Sequence, residues 1–245
     1  MTGMFDAGRT TSSKKTPNGM PFIVIDGTDG SGKGTQTKLL VERLQREGRT
    51  VEQLSFPRYG NPSAHFVEQY LNGRYGTGMD VGPHRSSLFY ALDRFDAAAG
   101  IRAALAAGTV VISDRYVSAN KGHQMGKITD PAERQAFLDW INDLEYRVLG
   151  IPKPDLTILL HMPSEIAYEL IAKKDDRGYL NGKKRDIHEA DPGHLKAAEQ
   201  AYLEIPSMDV VENWEVVSCM DGGNLMSIET IHEKLWQRIL PLLNA

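Results

Sequence analysis

The chain has 245 residues, of which 41% are apolar and 24% are charged, and its formal net charge is −4 at pH 7. This balance is typical of an ordinary globular protein and gives no sign of the basic surface that nucleic acids or anionic membranes attract. No apolar run approaches the roughly 18 residues of a transmembrane helix. The one cysteine, Cys219, rules out an internal disulfide framework and is typical of a reducing compartment. We expect a cytoplasmic protein with no nucleic-acid or membrane partner and with Cys219 as an inert core thiol.

The N-terminal segment differs in composition from the rest of the chain. Residues 1–20 are rich in Thr, Ser, Gly and Lys and contain no apolar segment. This pattern fits neither a signal peptide nor a transit peptide, and it predicts a flexible N-terminal extension. Residues 21–245 contain no internal repeat and no linker between two cores. They are expected to form one domain.

A glycine-rich loop follows the first apolar strand, residues 22–25, and leads into a helix predicted over 33–47. The loop fits the pattern Gly-x-x-x-x-Gly-Lys, whose glycines let successive backbone N–H groups surround phosphate oxygens. The helix N-terminus adds partial positive charge, and Lys33 can reach the β- and γ-phosphates. The predicted ATP-binding residues are Gly27, Gly30, Ser31, Gly32, Lys33, Gly34 and Thr35.

The loop departs from the usual motif at one position. The Ser or Thr that normally follows the lysine and ligates Mg²⁺ is Gly34, and Thr35 comes one place later. A Gly-Lys-Gly-Thr-Gln ending resembles adenylate kinases, so it favours a nucleotide kinase over a GTPase. The metal is then expected to be held through water or through another residue.

Apolar strands and helical segments alternate along the rest of the chain. Strands are predicted at 50–56, 109–113, 155–161 and 214–219, and helices at 63–71, 84–107, 131–149, 163–174, 191–205 and 226–243. Residues 72–82 carry four glycines without periodicity and are predicted to be loop. Because nearly every strand residue is apolar, we predict an α/β fold: one doubly wound parallel sheet of about five strands, flanked by helices.

Polar clusters follow four of the predicted strands, at 27–34, 56–58, 114–115 and 220–224. Ligands of doubly wound sheets bind at the carboxyl ends of the strands. These clusters are therefore expected to meet around one phosphate-binding crevice.

Together these segments resemble the thymidylate kinases, which are P-loop nucleoside monophosphate kinases. The matching stretches are Gly27-Thr-Asp-Gly-Ser-Gly-Lys33, Phe56-Pro-Arg-Tyr-Gly60, Tyr90-Ala-Leu-Asp-Arg94, Asp114-Arg-Tyr116, Asn120, Leu149-Gly-Ile-Pro-Lys-Pro-Asp155 and a basic loop at 175–186. The resemblance runs from about Pro21 to the C-terminus. It implies that ATP phosphorylates dTMP to dTDP with Mg²⁺ as cofactor, usually in a homodimer, and that the basic loop is a lid inserted in the fold.

The resemblance also implies how the phosphates are held. Arg58 follows a proline that fixes the backbone, so its guanidinium can be aimed at a phosphate; the alternative is an ordinary surface arginine. By resemblance, Arg58 and Arg115 bind the acceptor phosphate and act with Lys33. The Asp114 carboxylate can hold Mg²⁺ or its waters. Since Gly34 has no hydroxyl, Asp114 is expected to carry more of the metal binding.

The nucleoside is expected to contact a helix face and the phosphate loop. Tyr90 and Arg94 lie four residues apart and so project from one face of the helix, although a helical aromatic is more often core packing. By resemblance, Tyr90 stacks on thymine, Arg94 reaches a thymine carbonyl and Asn120 contacts the base. Asp29 takes the place that binds the 3′-hydroxyl of the sugar.

His123 and Gln124 depart from the family pattern. Many members place Tyr or Phe at the His123 position, against the deoxyribose, and the His-Gln pair resembles only a subgroup. The strictness of deoxyribose selection therefore stays open, and a solvent-facing loop histidine is the alternative. The phosphate loop lacks an arginine of its own, which in the family goes with arginines supplied by the lid. Arg177 and Arg185 are the candidates, and the sequence does not choose between them.

Two other functions are compatible with the motifs. A kinase of another nucleoside monophosphate, such as dUMP, would use the same phosphate ligands. A P-loop switch protein is a remote alternative, because such a protein normally needs the hydroxyl that is missing at position 34. It would also have no use for the Tyr90 and Arg94 face.

Overall fold

A computed structural model of the protein describes residues 19–171 and 192–244. The predicted lid at 175–186, with Arg177 and Arg185, lies outside the described residues, as do residues 1–18 of the predicted extension. Met20, at the end of that extension, packs partly against the core. The division into an extension and one domain stays a prediction.

Five parallel strands form the central sheet, in the order β2-β3-β1-β4-β5. Their bounds are β1 Phe22–Asp26, β2 Val51–Ser55, β3 Val110–Asp114, β4 Leu156–His161 and β5 Trp214–Ser218. A short antiparallel pair, β6 Met220–Asp221 and β7 Asn224–Leu225, follows the last strand. The predicted doubly wound parallel sheet of about five strands is confirmed.

Helices cover both faces of the sheet. They are α1 Lys33–Arg46, α2 His65–Leu71, α3 Gly78–Val81, α4 Pro83–Ala106, α5 Val117–Met125, α6 Pro131–Asn142, α7 Ser164–Ile171, α8 Pro192–Met208 and α9 Ile228–Leu243. One apolar core lies between the sheet and α4, α5, α6 and α8, a second lies between the sheet and α1, α7 and α9, and a third, smaller cluster lies around α2 and α3. The central strand β1 is completely buried, which is why its residues are nearly all apolar.

The strand register brings the predicted polar clusters to one edge of the sheet. Ile25 of β1 pairs with Asp114 of β3, and Ser55 of β2 pairs with the same aspartate. The phosphate loop and the Asp114–Arg115 pair therefore leave the sheet side by side. This is the arrangement expected at the carboxyl ends of parallel strands.

The helix α5, which carries three predicted site residues, was not predicted. Nearly all of its residues are buried, so it shows no polar face from which a helical period could be recognised. Gly122 is also unusual inside a helix, but a Cβ there would lie 2.3 Å from the Tyr202 ring. Close packing, and not a turn, accounts for this glycine. The interpretation of His123 as a solvent-facing loop residue is wrong.

Two other boundaries differ from the sequence prediction. The helix expected over 131–149 is α-helical only to Asn142 and continues as π-helical turns over Asp143–Val148. The loop expected at 72–82 contains α3, whose start is fixed by a capping box between Thr77 and Asp80. Reciprocal capping by two polar side chains stabilises a helix too short to show periodicity.

Cys219 lies buried just after β5, and burial raises the pKa of its thiol to about 11. A thiol with this pKa is protonated near neutral pH and reacts poorly as a nucleophile. The interpretation as an inert core thiol therefore fits the structure. In the described part of the chain, no helix combines the length and apolar character needed to cross a membrane.

Candidate active site

The phosphate loop, residues 27–34, is held against the neighbouring backbone at two glycines. A Cβ on Gly27 would lie 2.4 Å from the carbonyl oxygen of Leu160, and one on Gly30 would lie 2.4 Å from that of Ala167. Both glycines also have positive φ angles, +146° and +86°. Only glycine fits these contacts, so the loop is clamped between the end of β4 and helix α7.

Several buried polar atoms around this loop have no hydrogen-bond partner among the described residues. They are Thr28 Oγ1, Ser31 Oγ, Gln36 Oε1, Thr37 Oγ1 and Asp114 Oδ1. Each such atom destabilises a fold by about 1–3 kcal/mol, so buried polar atoms normally have partners. They surround the N-terminus of α1, whose first N–H groups also point away from the helix. The three hydroxyls and the helix N–H groups can donate hydrogen bonds to an anionic ligand, whereas the oxygens of Gln36 and Asp114 only accept and suit water or a metal ion.

Lys33 supplies the central positive charge of the loop. Its ammonium is buried and donates a hydrogen bond of 2.8 Å to the carbonyl oxygen of Thr28. Burial and the nearby Arg115 lower the pKa of Lys33 to about 8, although three carboxylates oppose the shift. An incoming phosphate would stabilise the charged form of this lysine.

Asp114, the last residue of β3, faces the phosphate loop across position 34. A Cβ at Gly34 would lie 3.3 Å from Asp114 Oδ2, so the missing side chain leaves room for this carboxylate beside the loop. Among the described residues, no group of three or more His, Cys, Asp or Glu side chains could hold a metal ion. Mg²⁺ takes one or two carboxylates together with water and phosphate oxygens. Asp114, with its partnerless oxygen, fits that requirement.

Arg115 has a left-handed backbone conformation with φ +66°, which residues with a Cβ rarely adopt. Two contacts hold this conformation: its N–H donates to Ile25 O at 3.0 Å, and its carbonyl accepts from Ser113 Oγ at 2.6 Å. The guanidinium then pairs with the Asp29 carboxylate and lies 3.1 Å from His123 Nε2. The phosphate loop and α5 thus meet at Arg115.

His123 is a neutral imidazole in this environment. Burial, followed by the charge of Arg115, lowers the pKa of His123 well below its usual range. A guanidinium only donates, so Nε2 accepts from Arg115 and the proton is on Nδ1. That nitrogen lies 3.4 Å from His194 Nε2, on α8. His123 therefore contributes no charge to the site.

A cavity of about 280 Å³ joins the phosphate loop to α4 and α5. The predicted site residues on its wall are Asp29, Gly30, Gly32, Lys33, Gly34, Tyr90, Arg94, Asp114, Arg115, Asn120, His123 and Gln124. Residues up to 95 positions apart in the sequence therefore line one cavity.

The side of the cavity away from the phosphate loop is fixed by buried hydrogen bonds. Arg94 is only 1% exposed, and its guanidinium binds the Glu145 carboxylate and the Tyr116 carbonyl oxygen, the latter at 3.2 Å. Asn120 Nδ2 donates to Ser87 O at 3.1 Å. These contacts hold Arg94 and Asn120 in one orientation at the cavity wall.

Arg58 does not line the cavity. Its guanidinium donates to Asp93 Oδ1 at 2.9 Å and to Ser63 Oγ at 2.8 Å, and it also pairs with Asp96. The neighbouring Tyr59 lines the cavity instead. The structure thus brings Arg115, but not Arg58, to the cavity, and the acceptor-phosphate role of Arg58 stays a prediction.

Comparison with known proteins agrees with this geometry. A family model described as thymidylate kinase matches residues 25–214. The chain belongs to the thymidylate kinase family. It is 32% identical to a thymidylate kinase of Mycobacterium tuberculosis, over 83% of this chain and 94% of the relative. A human thymidylate kinase is 27% identical over 87% of both chains, and a probable thymidylate kinase of Thermococcus kodakarensis is 29% identical over 86% of this chain and 98% of the relative. The predicted family, fold and phosphotransferase class are confirmed.

Three residues that support this thymidylate kinase site were missed in the sequence. Asp26, at the end of β1, accepts hydrogen bonds from Gly27 N at 2.7 Å and from Tyr202 OH at 3.0 Å, and it also binds Ser118. Glu145 fixes Arg94. The third, Tyr202, joins α8 to the start of the phosphate loop. Neither Glu145 nor Tyr202 has a local sequence signal, since each acts on a residue far along the chain. Tyr59, which lines the cavity, was also missed, although it lies inside a matched motif and could have been predicted.

Proposed function

We propose that the protein transfers the γ-phosphoryl group of ATP to dTMP, forming dTDP, by direct in-line displacement. One observation carries the proposal: a single cavity is lined at one end by the phosphate loop with Lys33, and at the other by Tyr90, Arg94 and Asn120. Arg115 pairs with Asp29 of the phosphate loop and lies 3.1 Å from His123 of α5, so it contacts both groups of residues. This order of groups matches a phosphate donor and a nucleoside monophosphate held with their phosphates facing each other.

Charge neutralisation and alignment account for most of the proposed catalysis, because two anions must approach. Lys33 binds the donor phosphates, and Arg115 binds the acceptor phosphate. Mg²⁺, held by Asp114 and water, would neutralise donor oxygens when bound. No general base is required, because a phosphate monoester with a second pKa of about 6 is largely ionised at neutral pH.

The remaining phosphate ligands come from the family resemblance. Arg58 is proposed to bind the acceptor phosphate, although its guanidinium also pairs with Asp93 and Asp96. Arg177 and Arg185, outside the described residues, are proposed to bind the transferring phosphoryl group from the lid. Closure of such a lid would exclude water and so limit hydrolysis of ATP.

The nucleoside end is proposed to bind thymine and deoxyribose. Tyr90 stacks on the base, and Arg94 and Asn120 reach its polar edge. Asp29 accepts from the 3′-hydroxyl, although it also pairs with Arg115. The aromatic and buried polar groups together match a planar base with carbonyl oxygens.

The test is an ADP-release assay with ATP and Mg²⁺ against dTMP, dUMP, UMP, dCMP, AMP and thymidine. We expect dTMP to be the preferred acceptor and thymidine to be inert, because Arg115 requires a phosphate. Comparable turnover of dTMP and UMP would show that the His123 segment does not select deoxyribose. No turnover of any acceptor would contradict the kinase proposal.

Asp114→Asn should weaken Mg²⁺ binding in the presence of nucleotide by about tenfold or more, because a charged ligand is lost beside Gly34. Calorimetric titration of the ATP-bound protein with Mg²⁺ measures this affinity directly. Asp139→Asn, on an exposed position of α6, is the matched control and should bind Mg²⁺ as the unchanged protein does. Equal affinity of the Asp114 variant would remove Asp114 from the metal site.

A homodimer is proposed through an apolar face of α4. Leu88, Leu92 and Phe95 are 41–51% exposed and lie on one side of the helix, and Phe66 of α2 is 50% exposed. A two-fold axis brings such a patch against its own copy, so an apolar patch is self-complementary. We propose a second copy of this chain as its partner.

The cytoplasmic location stays a prediction.

Leu92→Glu should convert this dimer to a monomer, because it places two carboxylates near the two-fold axis. Light scattering after size-exclusion chromatography gives the mass. Leu203→Glu, on α8 and 43% exposed, is the control and should leave the mass unchanged. A monomeric unchanged protein, or a dimeric Leu92 variant, would refute the proposed interface.

A further inference from the structure

The amide of Gln124 has its orientation set by Lys127, a residue outside the site described so far. Lys127 Nζ lies 2.6 Å from one amide atom of Gln124 and 2.8 Å from Tyr70 OH. An ammonium donates hydrogen bonds and accepts none. The amide atom facing Lys127 is therefore the oxygen, Oε1.

The other neighbour of this amide, Ser86, would accept either orientation. Its Oγ lies 2.7 Å from Gln124 Oε1 and 2.7 Å from the carbonyl oxygen of Gly82. A hydroxyl can donate to the amide oxygen, or it can donate to Gly82 O and accept from the amide NH₂. Of the described residues that contact this amide oxygen, Lys127 is therefore the one that makes a single orientation favourable.

With its oxygen turned toward Lys127, Gln124 leaves its NH₂ group for the cavity. Gln124 lines the cavity beside Asn120 and Arg94. No described residue accepts a hydrogen bond from its amide nitrogen, and that nitrogen is not among the fully buried partnerless atoms. The cavity thus presents a hydrogen-bond donor at this point.

A donor that faces C4 of the base distinguishes two classes of pyrimidine, whereas one that faces C2 would not, since both classes carry a carbonyl oxygen there. Thymine and uracil carry a carbonyl oxygen at C4, which accepts a hydrogen bond, whereas cytosine carries an amino group there, which donates. An amide NH₂ facing a cytosine amino group leaves two donors opposed and unpaired. A site built to hydrogen-bond one edge rejects the analogue that lacks it.

We propose that Lys127 is a positioning residue that determines base specificity: by holding the carbonyl of Gln124, it makes the cavity select 4-oxo over 4-amino pyrimidine nucleotides. This inference rests on the proposed function, since it assigns the base to the end of the cavity where Gln124 lies, with C4 of the base facing the Gln124 amide. Lys127 itself does not touch the substrate.

The surroundings of Lys127 make its effect depend on pH. Burial lowers the pKa of Lys127 to about 7. The groups facing it are Tyr70 on α2 and Gln124 on α5, and the cavity on its other side is lined by Asp80 of α3 and His194 of α8. Among the described residues, no carboxylate forms an ion pair with it. A neutral amine can accept as well as donate, so the constraint on Gln124 weakens as pH rises through about 7.

The test compares dTMP, dUMP and dCMP in the unchanged protein and in Lys127→Met, which keeps the length of the chain but removes the donor. At pH 6.5 we expect the KM for dTMP to rise about tenfold with little change in kcat, and the preference for dTMP over dCMP to fall about tenfold. The preference should fall with rising pH in the unchanged protein and stay flat in the variant.

Three variants separate this role from a structural one. Lys127→Arg, also a donor only, should restore the preference for dTMP. Tyr70→Phe removes the other hydrogen bond of Lys127 and should leave the preference unchanged. If Lys127→Met fails to fold, Lys127→Gln keeps a polar side chain that can donate or accept, and it should relax the preference in the same way.

Calorimetric binding of dTMP and dCMP gives the same ratio without turnover. If the protein binds dTMP and dCMP but phosphorylates neither, the proposed function is refuted. The ratio of the two affinities still tests the role of Lys127. An unchanged ratio of dTMP to dCMP affinity in both Lys127→Met and Lys127→Gln would overturn the inference.

Discussion

Lys33→Met should lower kcat for phosphoryl transfer by about a thousandfold, the scale found when one preorganised charge-stabilising group is removed. The methionine fills similar space but leaves the donor phosphates without the buried ammonium. Pre-steady-state measurement of dTDP formation at saturating ATP and dTMP gives the rate of the chemical step.

The control for this prediction is on the same helix. The side chain of Lys38 on α1 is 74% exposed and forms a surface ion pair with Glu42. Lys38→Met should therefore change kcat less than twofold. If both variants lose activity equally, the loss reflects damage to α1 and not the missing charge at Lys33.

The lowered pKa of Lys33 adds a pH dependence to the same prediction. With a pKa of about 8 in the free protein, Lys33 is charged below pH 8 and loses its proton above it. The value of kcat/KM for ATP should then decline above about pH 8, because kcat/KM reports the free enzyme. In Lys33→Met this decline should disappear.

Lys121→Met should destabilise the protein by about 3–5 kcal/mol, the range found when one partner of a buried ion pair is removed. Lys121 is completely buried on α5 and pairs with Asp209 and Glu212. Without the ammonium, two buried carboxylates would be left close together. Urea unfolding followed by circular dichroism gives the free energy of unfolding.

Hydrogen bonds around the buried cluster of Lys121, Asp209 and Glu212 show why the charge of the lysine matters for stability. Asp209 accepts from Asn142 at 3.1 Å and from Trp214 Nε1 at 3.1 Å, and Glu212 accepts from Thr157 at 2.7 Å. These neutral donors satisfy oxygen atoms but supply no positive charge. Burial tends to raise the pKa of Asp209, but Lys121 and the hydrogen bonds outweigh it, and the pKa is lowered.

The sign of this shift gives the acid behaviour. A carboxyl group whose pKa is lower in the folded than in the unfolded protein stabilises the fold above its unfolded pKa, and that contribution is lost as pH falls through the folded value. The stability difference between the unchanged protein and Lys121→Met should therefore shrink below about pH 4. Arg147→Met, which breaks an exposed pair with Asp143, should lower the free energy of unfolding far less than Lys121→Met does, because water screens the exposed pair. A comparable loss in both variants would contradict the importance of the buried cluster.

The strands and the phosphate loop could be predicted from the sequence because each has a local signal. Apolar runs predicted the buried strands β1, β3 and β4, and the spacing from Gly27 to Lys33 predicted the loop that the structure contains. The position of Asp114 and Arg115 followed from the geometry of parallel strands. These features depend on neighbours in the chain or on the class of fold.

What the sequence did not reveal depends on contacts between distant residues. The burial of α5 removed its amphipathic period, and the partnership of Arg94 with Glu145 joins residues 51 positions apart. Arg58 has the motif of a phosphate ligand, yet in the structure Asp93 and Asp96 compete for its guanidinium. A motif identifies a candidate phosphate ligand, but the orientation of its side chain depends on the carboxylates that lie beside it in the fold.

The partnerless polar atoms around the phosphate loop have a consequence for how this protein can evolve. Thr28, Ser31 and Thr37 each hold a buried hydroxyl that has no hydrogen-bond partner among the described residues. Replacing one of these residues with an apolar residue of similar shape would remove the free-energy cost of the unsatisfied hydroxyl and make the folded chain more resistant to heat. Selection for thermostability alone would therefore favour losing these hydroxyls, and selection for nucleotide use must be what retains them.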